Sequence, residues 1–165
     1  MKRIALVNVH CDPLEQLGSA EAGGQNVYVY HLAKALGKLG FHVDVFCRLN
    51  SRSKKERVRL TKHVQFIRLI AGHRQFIPKN KLGPLLPEFI SNFLAGQKKE
   101  GVKYDLLHSH YWEAGWVTMQ LKYILKVPQA HTFHSLGIMR YNALKGFREQ
   151  SLNTTEIKHR IAYIK

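Results

Sequence analysis

Residues 4–9 read IALVNV, and residues 22–29 read AGGQNVYV. The first run is short, apolar and rich in β-branched residues, as expected for a strand buried inside a parallel sheet. In the second, Gly23 and Gly24 open a stretch in which apolar residues recur every three or four positions, which predicts a helix ending near Gly40. The residues that carry this spacing are Val27, Tyr28, His31, Leu32, Ala35, Leu36 and Leu39.

The alternation of strand and helix continues through the chain. Further strands are predicted at residues 42–47, 64–70, 105–110 and 129–133, and further helices at residues 88–97 and 113–126. Crossovers of this length allow parallel pairing, so the pattern predicts an α/β fold, Rossmann-like, with a mainly parallel sheet and helices on both faces. There is no internal repeat and no low-complexity linker, and we therefore expect residues 1–165 to form a single domain.

The chain is strongly basic, with 26 Lys and Arg against 11 Asp and Glu and a formal net charge of +15. This excess favours an anionic partner: nucleic acid, an acidic membrane surface or a phosphorylated small molecule. The densest cluster, which we call the basic segment, consists of Arg48, Arg52, Lys54, Lys55, Arg57, Arg59 and Lys62. It lies between two predicted strands and has few aromatic residues, so we interpret it as the solvated face of a loop rather than a nucleic-acid site.

Several features of the sequence favour the cytoplasm. No apolar run approaches the length needed to span a bilayer, and the apolar run after the basic start at residues 1–3 is too short for a signal peptide. The two cysteines, Cys11 and Cys47, are interpreted as free thiols of a reducing compartment. We therefore expect a cytoplasmic protein without membrane insertion.

Ligands of open α/β sheets bind at the carboxyl ends of the strands, and polar segments follow three of the predicted strands. At Gly23 and Gly24 the free amides and the helix dipole favour an anion, although glycines at this point also suit a simple turn. Residues 108–112 (HSHYW) place His108 and His110 on one face of a strand, as in a metal pair. No cysteine or carboxylate with ligand spacing accompanies them, so a hydrogen-bonding wall for a sugar is favoured and no metal is predicted.

The third segment, residues 131–137 (HTFHSLG), places His134 where its strand ends. A lone histidine is usually packed or capping, but convergence of the three segments on one edge of the sheet favours a functional role. Arg140 follows six residues later.

These segments, together with residues 76–79 (FIPK) and 86–89 (LPEF), match in order a known family. They resemble the N-terminal domain of the retaining GT-B glycosyltransferases, a family-4-like group that includes sucrose-phosphate synthases and sucrose synthases. The resemblance covers nearly the whole chain and is most specific in the blocks around Gly23 and His134. It implies the N-terminal, acceptor-side half of a GT-B fold.

The resemblance also implies roles for the matching residues. Gly23 and Gly24 would approach the donor diphosphate, and His134 would lie beside the transferred sugar as the catalytic residue. Acceptor binding would fall to Gln25, Asn26, Tyr111, Ser135 and Arg140. Arg140 stands where phosphate-accepting relatives carry lysine, which preserves the charge but changes its reach. No cofactor and no metal are implied.

The activity implied is transfer of a hexose, with retention, from a nucleotide sugar such as UDP-glucose to a sugar phosphate such as fructose 6-phosphate. Family members hold the donor with a second domain that carries a pair of glutamates eight residues apart, and no two glutamates of this chain have that spacing. We therefore expect the donor-binding C-terminal domain to be absent and the isolated chain to be inactive. The enzyme interpretation then requires either a separate donor-domain polypeptide as a partner or a longer parent gene product. A non-catalytic sugar-phosphate-binding remnant or split-enzyme subunit is the main alternative, and a nucleic-acid binder that uses the basic segment is a weaker one.

Overall fold

The predicted alternation of strands and helices is confirmed in a computed structural model, which describes residues 1–15, 18 and 23–135. Within these residues the chain forms six strands and three α-helices, with two short 3₁₀ turns, Lys79–Lys81 and Gly83–Leu85, before the second helix. The elements are β1 (Arg3–Val7), α1 (Gly24–Lys38), β2 (His42–Arg48), β3 (Arg57–Arg59), β4 (Val64–Leu69), α2 (Leu86–Glu100), β5 (Leu106–His110), α3 (Tyr111–Leu125) and β6 (Gln129–Thr132).

The strands form one sheet in the order β3-β4-β2-β1-β5-β6. All neighbours are parallel except β3, which pairs antiparallel with β4 at the edge. Side chains alternate across β1, so Ile4 and Leu6 belong to the core on the α1 side, whereas Ala5 and Val7 belong to the core under α2 and α3. The Rossmann-like sheet with helices on both faces is therefore confirmed.

Helix α1 buries a different face from the one that its apolar spacing predicts. Val29 and Ala33 are fully buried, whereas Val27, Tyr28 and Leu39 are 38%, 45% and 75% exposed. Small residues let α1 approach the sheet closely, and Gly37 lies directly against Val64 of β4. Gly40, at φ +90°, ends the helix: the Phe41 amide donates to Leu36 and the Gly40 amide to Gly37, as in a Schellman motif.

The interpretation of the basic segment as a solvated loop face is wrong in part. Strand β2 extends through Arg48, whose side chain is only 4% exposed and donates to the carbonyls of Ala71 and His73 at 3.3 and 2.9 Å. Lys54 forms ion pairs with Asp12 and Glu15. Backbone carbonyls and carboxylates thus pair with these two cations inside the fold, where a buried charge needs such partners.

The rest of the basic segment lies at the surface. Its members Arg52, Lys55, Arg57, Arg59 and Lys62 are exposed, with Arg57 paired to Glu100. Arg57 and Arg59 belong to β3, a short charged edge strand that the sequence pattern did not predict. Charged residues on a short edge strand discourage pairing with another sheet. No helix of the described residues has the length and apolar character needed to cross a bilayer.

Candidate functional site

The sheet topology creates a crevice at the carboxyl ends of β1 and β5. From β1 the chain proceeds to β2 on one side of the sheet, and it later returns to β5 on the other side. Such a reversal of strand order is where ligands bind in open α/β sheets. The residues that follow β1, β5 and β6 meet at this edge, together with the first turns of α1.

The segment after β1 is fixed by buried hydrogen bonds to α1. Asn26 is 2% exposed, and its side-chain amide donates to the backbone carbonyl of Asp12 at 2.7 Å. Gln25 donates to the side chain of Asn8, which also binds the carbonyl of Cys11 at 2.8 Å. These bonds hold the N-terminus of α1 against the end of β1.

Gly23 and Gly24 lie exposed at that N-terminus, and a Cβ added at either would meet no atom of the described residues within 4 Å. Neither residue has a positive φ. Within the part of the chain that the structure describes, neither internal packing nor a left-handed backbone, the two usual intramolecular reasons for glycine, accounts for this pair. The open space beside the first helical turn leaves room for an anion to approach the backbone at the positive end of the helix dipole.

Two predicted site residues adopt a left-handed backbone. Tyr111, directly after β5, has φ +74°, and His134, two residues after β6, has φ +57°. This conformation is uncommon for residues with a Cβ and persists where the surrounding structure imposes it. Neighbouring parallel strands thus end in the same unusual way at the same edge of the sheet.

The rings of three residues form a contiguous wall of the crevice. His110 Nδ1 and His134 Nε2 lie 3.1 Å apart in a hydrogen bond whose donor depends on the tautomers. Tyr28 of α1 packs edge-on against both, with ring centroids 5.1 Å from His134 and 5.8 Å from His110. His110 is fully buried, so the exposed rings of Tyr28 and His134 are the ones that offer hydrogen bonds and an aromatic face to a sugar.

The histidines at the ends of β5 and β6 are neutral at physiological pH. Burial, together with the other histidines nearby, lowers the pKa of His110 to about 2 and that of His131 to about 4. Burial and the charge of His10 also lower the pKa of His134. His131 and His108 are further anchored through hydrogen bonds to Ser109 at 2.8 Å and to Thr132 at 2.9 Å.

His10 behaves in the opposite way because it faces a buried carboxylate. Burial alone would lower its pKa, but Glu113 and, less strongly, Cys11 raise it to about 10, so the ring is protonated at neutral pH. Its Nδ1 lies 3.6 Å from Oε2 of Glu113, whose side chain is fully buried. Among the described residues neither carboxylate oxygen of Glu113 accepts a hydrogen bond, so His10 compensates its charge. The pair joins the end of β1 to the first turn of α3.

The structure brings together most of the predicted site residues, though not all in accessible form. His134 and Ser135 are exposed, and Gln25 is half-buried. Tyr111 is only 6% exposed; its ring lies 4.8 Å from that of His10 and 5.4 Å from Nζ of Lys79. The buried amide of Asn26 serves the fold, as described above. Arg140 lies outside the described residues.

Sequence reasoning missed Tyr28, His10 and Glu113. Tyr28 follows Gly24 by one helical turn, which places the two on the same side of α1, but its aromatic ring suggested a core position. His10 and Glu113 lie far apart in the sequence, so their pairing could not be read from it and depends on the contact between β1 and β5. Within residues 1–15, 18 and 23–135, no group of three or more His, Cys, Asp or Glu side chains is arranged to hold a metal ion.

Comparison with known proteins agrees with this architecture. A sequence profile of Glycosyltransferase Family 4 matches residues 22–160. The chain is similar to a D-inositol 3-phosphate glycosyltransferase of Corynebacterium kroppenstedtii (39% identity, 86% of this chain and 32% of the relative). It is also similar to a mannosylfructose-phosphate synthase of Agrobacterium fabrum (37% identity, 94% of this chain and 35% of the relative).

A solved structure gives the same result in three dimensions. Sucrose-phosphate synthase from Thermosynechococcus elongatus superposes with a TM-score of 0.87 at 36% identity, over 99% of this chain and 40% of that one. This likeness confirms the expected N-terminal half of a GT-B fold. The chain spans about a third of the length of the curated relatives it matches. With a family profile that covers most of its length and relatives above 30% identity, the chain belongs to Glycosyltransferase Family 4.

Proposed function

We propose that this chain forms the acceptor-side half of a retaining glycosyltransferase. The reaction transfers a hexose from a nucleotide sugar, UDP-glucose, to a sugar phosphate such as fructose 6-phosphate. The observation that carries the proposal is the convergence of an open helix N-terminus, at Gly23 and Gly24, and a neutral His134 on one crevice. The names of the three similar proteins support the acceptor class, since each name includes a sugar phosphate or an inositol phosphate.

The donor diphosphate binds at the start of α1. Amides of the first helical turn and the positive end of the helix dipole attract the phosphate oxygens. The space beside Gly23 and Gly24 allows the phosphates to reach the backbone, and any side chain at these positions would occupy it. This explains the glycine pair without reference to internal packing.

His134 acts on the transferred sugar in its neutral form. Breaking the bond between a sugar and its leaving group develops positive charge on the anomeric carbon, which a charged imidazolium would oppose. Burial and the nearby charge of His10 lower the pKa of His134 and so favour the neutral ring. The hydrogen bond to His110 and the edge of Tyr28 orient that ring.

The acceptor lies beyond His134, where Gln25, Ser135 and Arg140 bind it, and the buried Tyr111 supports this surface by packing against His10. Arg140 contacts the acceptor phosphate, for which its planar guanidinium is suited. Asn26, predicted as a further acceptor residue, contributes by fixing the segment from which Gln25 projects. No metal or cofactor is part of this proposal.

Turnover requires a donor-binding half in addition to these 165 residues, because donor and acceptor must be enclosed between two surfaces. That half is either a continuation of the same polypeptide or a separate partner chain. We place the reaction in the cytoplasm, in keeping with two free and buried cysteines.

The phosphate assignment is tested by following the ring resonances of His134 by NMR during titration with fructose 6-phosphate and, separately, with fructose. We expect binding of the phosphorylated sugar only, weakened roughly ten- to a hundredfold in Arg140→Ala, as for the loss of one charge-assisted contact. Arg52→Ala is the matched control, because Arg52 is exposed; buried Arg48 is unsuitable for that purpose. Equal binding of both sugars, or an unaffected Arg140→Ala variant, would contradict the acceptor assignment.

A further inference from the structure

A second cavity lies at the opposite edge of the sheet, where β1, β2 and β4 begin. It measures about 160 Å³ and is far from the crevice, since the strands run between the two edges. Its lining is rich in cationic and hydrogen-bonding side chains, contributed by the four strands β1 to β4 and by the turn between β3 and β4. These side chains include Arg3, His42, Asp44, Arg59, Thr61, Lys62 and His63.

The charge of this cavity is unbalanced. Asp44 is its one acidic lining residue, and its carboxylate is already occupied by Arg3 at 2.9 Å, Tyr104 at 2.8 Å and Gln65 at 2.8 Å. Within the described part of the chain, neither Arg59 nor Lys62 has an ion-pair partner. Two cations therefore face a cavity whose single carboxylate is satisfied by other groups.

Hydrogen-bond donors accompany this charge. The hydroxyl oxygen of Thr61 accepts from the amides of His63 and Val64 at 3.2 and 3.1 Å, which leaves its proton to donate elsewhere. The rings of His42 and His63 stack edge to face, with centroids 5.0 Å apart, and Nδ1 of His63 is buried without a partner among the described residues. A tetrahedral anion accepts several such bonds at once.

The size of the cavity limits the occupant. Sites for drug-sized ligands measure roughly 300–1,000 Å³, so about 160 Å³ suits a single phosphate group rather than a nucleotide sugar. We propose that the amino-terminal edge of the sheet carries a second anion site, built on Arg59, Lys62, Thr61 and the paired histidines, for inorganic phosphate or the phosphate of a monoester. This site is separate from the proposed acceptor site and does not depend on it.

The test follows the ring resonances of His42 and His63 by NMR during titration of the full chain with inorganic phosphate, and separately with fructose 6-phosphate or fructose. We expect saturable shifts with both phosphates but not with fructose. The double variant Arg59→Ala/Lys62→Ala should weaken phosphate binding at least about tenfold, through the loss of two charge-assisted contacts. Both residues are exposed, and Lys62→Ala alone provides a second test if the double variant fails to fold.

Lys98→Ala/Lys99→Ala is the matched control, because it removes the same charge from exposed positions on α2. It should bind phosphate like the wild type, whereas a general effect of net charge would weaken both double variants equally. The proposal is overturned if the shifts do not saturate, if Arg59→Ala/Lys62→Ala binds phosphate normally, or if phosphate shifts only His110, His131 and His134 at the crevice.

Discussion

At the scale of single residues, the surroundings of each histidine at the crevice decide whether its imidazole ring is charged or neutral. His10 faces a buried carboxylate and stays protonated, whereas His110 is equally enclosed but faces other histidines and stays neutral. The same residue type thus supplies a fixed positive charge at the end of β1 and a neutral wall at the ends of β5 and β6. Such divergence of pKa values at one site is common where chemistry takes place.

The His10–Glu113 pair should make the free energy of unfolding depend on pH. The folded pKa of His10 is about 10, above its ordinary value of 6.5, so the folded protein holds this proton more tightly than the unfolded chain. The contribution is complete below about pH 6.5 and is lost as pH rises towards 10, with a slope of at most about 1.4 kcal/mol per pH unit. Urea unfolding at pH 6.5, 8 and 9.5 measures it.

Replacing the carboxylate provides the comparison. In Glu113→Gln the main effect that opposes burial of His10 is lost and only Cys11 remains, so the pKa of His10 should fall well below 10 and the decline of stability between pH 6.5 and 10 should flatten. Glu56→Gln, which breaks an exposed pair with Arg74, should leave the wild-type pH profile unchanged. Parallel profiles for wild type and Glu113→Gln would show that the pair does not control this proton.

At the scale of elements, α1 has two separate tasks. Its N-terminus presents Gly23 and Gly24 to the crevice, and its C-terminal half packs small residues against the sheet. Apolar spacing predicted the helix but not its orientation, because Val27 and Tyr28 mimic a core stripe while Ala33 and Gly37 make the closest contact. Strand β3 was missed for a similar reason: a strand of three residues with two arginines has no apolar signature, and its pairing with β4 defines it.

The two tasks of α1 can be separated with the same substitution at two positions. A Cβ at Gly37 would overlap Val64, so Gly37→Ala should cost about 1–3 kcal/mol of stability, as for overpacking. Gly24→Ala places its Cβ in open space and should leave stability unchanged or raise it by up to about 1 kcal/mol. Denaturant unfolding of both variants checks this.

Donor binding should be affected by Gly24→Ala and not by Gly37→Ala, the opposite of the effect on stability. In an enzyme assembled with its donor-binding half, Gly24→Ala should weaken binding of the nucleotide sugar, because the new methyl group occupies the path to the helix amides. Gly37→Ala, far along the helix, should bind the donor normally at a temperature where it remains folded. A Gly24→Ala enzyme with wild-type donor affinity would leave the open glycine pair without its proposed ligand.

At the scale of the whole molecule, the side chains of the crevice and of the basic cavity lie at opposite ends of the strands of one sheet. Its carboxyl edge gathers residues from β1, β5, β6 and α1, and its amino edge gathers the basic cavity. The carboxyl-edge residues were predictable in sequence because polar segments follow buried strands there. Arg48 and the amino-edge cavity were not, because both depend on strand register and on which carboxylates are already paired.

A chain that supplies only the acceptor-side half of the enzyme should be inactive by itself. The purified 165-residue chain should show no appreciable transfer from UDP-glucose to fructose 6-phosphate and should bind UDP-glucose poorly, because one surface of a crevice supplies only part of the donor contacts. Addition of a donor-binding half, fused or supplied as a separate chain, should restore transfer, and the same assembly carrying His134→Ala should remain folded but lose most activity. Release of UDP, followed with and without acceptor, measures both donor hydrolysis and transfer. Robust turnover by the purified chain alone would mean that these residues already contain a complete site, and it would refute the division into donor and acceptor halves.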